Sequence, residues 1–157
     1  SKEIENVIKE KLDKPISEVI AKVKESIINQ DEAVKQVITA VYKYAIFGSW
    51  PLWVRNIRES QDLDLLVTQD LWNELVLKYE KYLLLEPYEH IQIWEIEIMQ
   101  ACVHLDFEKI NEMIKNVCII ENLPFVKLED IRDWKTNMWR EKDFKDVDLI
   151  NNYLENL

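Results

Sequence analysis

The chain has 157 residues, 48% of them hydrophobic and 32% charged, with a formal net charge of −10. That composition belongs to a folded chain long enough to bury a core, and it excludes a disordered tail or a disulfide-stapled miniprotein. The stretch 59–108 holds 12 acidic residues against Lys78 and Lys81, a balance equal to the charge of the whole chain. Such a field repels nucleic acid and anionic membranes and attracts basic proteins.

One glycine and four prolines serve the whole length. Tight β-turns usually want glycine, so the expectation is all-α: a single compact domain over 1–157 with about seven or eight helices joined by short polar loops. Ile4, Val7, Ile8 and Leu12 predict a helix over 2–12. Ile16, Val19, Ile20, Val23 and Ile27 predict a second, with Pro15 in its first turn. Asp31 and Glu32 open a third over 31–47, with Val34, Val37, Ile38, Val41, Tyr44 and Ala45 on its apolar face and Gly48 as its C-cap. A short helix is expected over 51–58 and a loop over 59–64, and 48–68 is a candidate internal hinge or loop. Thr68 is the N-cap of a helix reaching 84.

Stepped at about 100° per residue, the stretch 88–105 spreads Ile91, Trp94, Ile96, Ile98, Met99 and Val103 around most of the circumference. The polar arc is narrow (His90, Glu97, Gln100 and His104), which predicts a buried central helix. Glu97 is solvated in this reading, whereas Glu95 falls on the apolar side as an ion pair or a cleft-lining acid. Asp106 caps a helix reaching 120, and helices follow over 127–139 and 146–157, the last capped by Asp146.

No catalytic motif is legible. Glu86 and His90 are four apart and Glu97 and His104 seven apart, so neither is the Glu-x-x-His spacing of a di-iron bundle. Two histidines and two distant cysteines, Cys102 and Cys118, give no zinc signature. No serine sits in a glycine-bounded elbow, and no glycine-rich loop can cradle phosphate. The expectation is therefore no catalytic residues, no cofactor and no metal. Free buried thiols, no signal-peptide pattern and no apolar run of about 18 residues predict a cytoplasmic protein.

The segment Ile27-Ile28-Asn29-Gln30-Asp31-Glu32-Ala33 resembles the one that precedes the nucleotide site of Clp-type ATPases. Asn29 stands where that family has glycine, and no Gly-x-x-x-x-Gly-Lys follows. Nucleotide binding is not carried over from this resemblance.

The function expected is that of a non-enzymatic binding protein. Glu59, Asp62, Asp64, Asp70 and Glu74 would dock a basic protein partner, in the manner of an immunity-type inhibitor that neutralises a bacterial toxin domain. An alternative is a helical adaptor module of a larger assembly, with Trp50 and Trp53 as the contact. A third is an enzyme with a carboxylate cleft around Glu95 and Glu97. Nucleic acid and membrane are not expected partners, and the oligomeric state is not fixed by the sequence.

Overall fold

The computed structural model describes residues 42–157. The expected helices over 2–12, 16–27 and most of 31–47, and the ATPase-like segment, lie outside the described residues. What is described is not all-α. A seven-stranded mixed sheet runs in the order β3-β4-β5-β2-β1-β7-β6. Its strands are β1 Tyr44–Phe47, β2 Leu63–Val67, β3 Leu83–Leu84, β4 His90–Ile93, β5 Ile96–Met99, β6 Cys118–Ile120 and β7 Leu123–Phe125. The described helices are α1 Trp50–Trp53, α2 Gln69–Lys78, α3 Phe107–Lys115, α4 Leu128–Met138 and α5 Glu141–Glu155, with a 3-10 turn at Glu80–Tyr82.

The period-two alternation of strands sorts the side chains onto two faces. Tyr44, Ile46, Leu63, Leu65, Val67, Ile91, Ile93, Ile96 and Ile98 pack with Leu71, Trp72 and Leu75 of α2 in one core. Ala45, Phe47, Leu66 and Met99 face the other way and pack against α3, α4 and α5 through Ile110, Met113, Ile114, Leu128, Ile131 and Ile150. By the same alternation, Asp64 and Glu97 belong to this second, three-helix face.

The expected central helix over 88–105 is a β-hairpin. His90 to Met99 alternates strictly between isoleucine and other residues on either side of its turn, and Ile91, Ile93, Ile96 and Ile98 are each at most 2% exposed. Spreading that two-residue period over a helical wheel produces apparent all-round hydrophobicity. The scarcity of glycine misled in the same direction. Its place in the turns is taken by residues with positive φ: Trp94 (53°) between β4 and β5, and Glu121 (52°) with Asn122 (64°) between β6 and β7. Two consecutive positive φ values are what a tight hairpin turn of matching twist requires. Each non-glycine residue there costs about 1 kcal/mol, offset by strand pairing and burial.

Other boundaries shift for related reasons. The end of the expected third helix is β1, and Gly48 (φ 70°) turns the chain after a strand rather than capping a helix. Asp106 does cap α3, its carboxylate accepting from the Lys109 N–H at 2.8 Å, but the helix stops at Lys115 and Cys118–Ile120 is a strand. The last helix begins at Glu141, so Asp146 lies within α5 and spends its carboxylate on other partners. No helix among the described residues is long and apolar enough to cross a membrane.

Candidate active site

β2 and β5 are adjacent and parallel, with Asp64 directly opposite Glu97. The two side chains leave the sheet on the same face and are hydrogen-bonded to one another. Asp62, two residues earlier and just before β2, adds a third carboxylate on that side. β1 flanks β2 antiparallel with Phe47 opposite Asp64, which delivers the Gly48-Ser49 turn onto the same spot. A Cβ built on Gly48 would lie 2.1 Å from Asp64 Oδ2, so only glycine lets the backbone approach the carboxylate this closely. Ser49 Oγ is 2.5 Å from Ser60 Oγ, tying the turn to the segment that carries Asp62.

These groups line a cleft of about 740 Å³. Its sheet side presents Asp62, Asp64, Glu95 and Glu97, and its helical side presents Lys135, Arg140 and Lys142, with Arg58 from the segment after α1. The helical side is built by an ion network. Lys135 Nζ lies 3.3 Å from Asp143 Oδ1 and 2.9 Å from Asp146 Oδ2, with side-chain exposures of 7%, 0% and 6%. Arg58 donates to both oxygens of Asp146 at 2.6 and 2.8 Å, and Arg140 grips Asp143. Three cations against two carboxylates leave this network with a positive surplus facing the acids of the sheet side.

Burial pushes the Asp64 carboxyl up to about 7, helped by the charges of Glu97 and Asp62 and the hydrogen bond with Glu97; Lys135 opposes this. Two carboxylates this close cannot both ionise cheaply. Asp64 therefore carries a proton near neutrality and donates it to Glu97. Asp146 goes the other way: burial alone would raise it, but hydrogen bonds and charge from Arg58 and Lys135 outweigh that and hold it below the usual carboxylate range. Burial, with the charges of Glu97 and Asp64, pushes the Cys102 thiol at the cleft edge up to about 12, so this thiol is inert rather than nucleophilic.

Of the residues singled out from sequence, Glu59, Asp62 and Asp64 line this cleft, the first two exposed. Asp70 and Glu74 do not; they lie on α2, where Asp70 pairs with Lys43 at 2.6 Å. Trp50 is 1% exposed in the first core, and Trp53 packs against it with ring centroids 4.8 Å apart. Glu95 is exposed at the β4–β5 turn rather than buried on a helix, and Glu97, expected to be solvated, is the partner of Asp64. Gly48 was legible only as a helix cap, and Tyr88, Arg58 and Lys135 carried no sequence signal that a helical reading could use. The pattern Asp62-Leu63-Asp64 beside Ile96-Glu97-Ile98 becomes informative once both are read as strands.

Among the described residues, no group of three His, Cys, Asp or Glu is drawn into a ready-made metal cage. A closed cage is not what Mg²⁺ uses: it keeps several waters and is held by one or two carboxylates together with substrate phosphates. The Asp64–Glu97 pair supplies the number of carboxylates such a partial donor set uses. The chain matches no protein-family model and no curated protein.

Proposed function

We propose that the chain is a divalent-metal-dependent nucleotidyl transferase, moving a nucleotide from a nucleoside triphosphate to an acceptor hydroxyl. The observation that carries this reading is the in-register pair Asp64 and Glu97, joined by a hydrogen bond and accompanied by Asp62. A divalent cation relieves carboxylates forced together, and its oxygen preference matches theirs. The Asp64–Glu97 pair would supply the protein ligands of an ion that assists in-line displacement at phosphorus. The wall of Arg58, Lys135, Arg140 and Lys142 faces where phosphates would lie.

The transfer proposed is at the α-phosphorus, where carboxylate-held divalent ions would clamp the attacking and leaving oxygens of an in-line displacement. Bound Mg²⁺ would neutralise the phosphate oxygens and the developing charge. Asp62, which holds neither the shared proton nor the Tyr88 bond, would accept the proton of the attacking hydroxyl as the new O–P bond forms and the bond from the α-phosphorus to the bridging oxygen breaks to release pyrophosphate. The Gly48-Ser49 turn positions Asp64, and the cationic wall takes the leaving pyrophosphate. A cytosolic location, where Mg²⁺ and nucleoside triphosphates are plentiful, suits this reading.

The test is pyrophosphate release and transfer of label from nucleoside triphosphates labelled at the α-phosphate, offered with a panel of acceptor hydroxyls. Wild type should act only with Mg²⁺ or Mn²⁺, and Asp64→Asn and Glu97→Gln should each lose at least ~100-fold. Turnover that persists in Asp64→Asn, or wild type that neither binds nor turns over any nucleoside triphosphate, would sink the proposal.

A second reading keeps some support: Glu59, Gln61 and Asp62 are exposed at the cleft mouth, where a basic protein could dock. Glu59→Lys separates the two, since it would weaken docking and its salt dependence while leaving nucleotide turnover largely intact.

A further inference from the structure

Glu97 has partners besides Asp64. The Tyr88 hydroxyl donates to Glu97 Oε1 at 2.6 Å. The Tyr88 ring packs on His90, with centroids 5.1 Å apart. His90 Nδ1 lies 2.8 Å from the backbone carbonyl of Tyr88 itself. A carbonyl only accepts, so Nδ1 carries the hydrogen and the ring is locked in one orientation. Its Nε2 then faces Glu97 Oε1 at 4.0 Å. His90 is 6% exposed on β4 and cannot easily swing away.

We propose that Tyr88 is a positioning residue for Glu97: its hydroxyl, clamped by the His90 ring, fixes one carboxylate oxygen so that the other is presented with Asp64 to a divalent cation. This rests on the metal-dependent reading above. Outer partners of a ligand set its orientation and basicity, and losing one typically costs ~10–100-fold in metal affinity. Tyr88 touches neither substrate nor metal in this scheme.

Mn²⁺ is the probe, with binding followed by the loss of its free-ion paramagnetic resonance signal. Tyr88→Phe keeps the ring and its packing on His90 and removes only the hydroxyl. It should bind Mn²⁺ about tenfold more weakly, with an unchanged metal-free melting temperature. In turnover, the KM for metal should rise while kcat at saturating metal stays near wild type. His90→Phe, which loses the Nδ1–H clamp, should fall between Tyr88→Phe and wild type. Wild-type Mn²⁺ affinity in Tyr88→Phe overturns the inference, and so does an affinity loss that tracks a lowered melting temperature. Asp64→Asn distinguishes the two levels. If it loses Mn²⁺ while Tyr88→Phe keeps it, only the role of Tyr88 falls; if wild type itself binds no Mn²⁺, both fall.

Discussion

Replacing Asp64 with asparagine should make the protein more stable, and the gain should depend on pH in a defined direction. In the folded chain the Asp64 carboxyl is pushed up to about 7 by burial and by Glu97 and Asp62; in the unfolded chain it titrates near 4. Between those values the folded state holds a proton that the unfolded state has released. Stability therefore falls as pH rises through this window. Three units correspond to about 4 kcal/mol at most, and because the proton is shared with Glu97 a gain of ~2 kcal/mol for Asp64→Asn at pH 8 is the working figure. Asparagine removes the charge and still donates to Glu97. The expected rise in melting temperature at pH 8 is about 4–8 °C for a chain of this size, shrinking towards zero near pH 4, where both states are protonated. Melting curves at pH 4, 6 and 8 without divalent ions measure it. Mg²⁺ should then stabilise wild type at pH 8 and leave Asp64→Asn nearly unmoved. An asparagine variant no more stable than wild type at pH 8, or a gap that widens towards pH 4, would refute the reasoning.

The other expectations concern the frame of the site. Gly48→Ala combines a positive φ of 70° with a Cβ 2.1 Å from Asp64 Oδ2, and should cost ~2–4 kcal/mol in urea unfolding. In an Asp64→Ala background only the backbone part, about 1 kcal/mol, should remain; equal costs in both backgrounds contradict the close approach. Lys135→Met leaves Asp143 and Asp146 with one arginine each in a buried site and should cost ~3 kcal/mol, with a loss below about 1 kcal/mol counting against the network. Trp50→Ala should destabilise by ~3–5 kcal/mol, because Trp50 is 1% exposed; unchanged melting would return it to the role of a surface anchor.

How much of this was legible in the sequence depends on which physical signal each segment carries. Asp106 announces α3 because a capping carboxylate acts locally, and α4 lies within one residue of the stretch expected from its periodicity. The strands were hidden for two reasons. They are short, two to five residues, so a three-to-four residue spacing can be fitted through Tyr44, Ala45 or Ile91 as readily as an alternation. Their turns are made by Trp94, Glu121 and Asn122 rather than glycine, and a residue's tolerance of positive φ is decided by tertiary pairing, which composition cannot report. The acidic bias of 59–108 overlaps the candidate cleft only in part. Asp62, Asp64 and Glu97 do converge, but across strand register from positions 33 residues apart in the case of Asp64 and Glu97. Asp70 and Glu74, equally acidic, belong to another surface.

The most direct measurement is crystallographic: crystals grown with Mn²⁺ and a non-hydrolysable nucleoside triphosphate, with anomalous differences collected to locate the metal. An anomalous peak coordinated by Asp64 and Glu97 is expected, with Asp62 adjacent, phosphate oxygens completing the shell and the triphosphate directed towards Lys135 and Arg140. An empty carboxylate pair with nucleotide bound elsewhere, or no nucleotide bound at all, would contradict the metal-dependent reading.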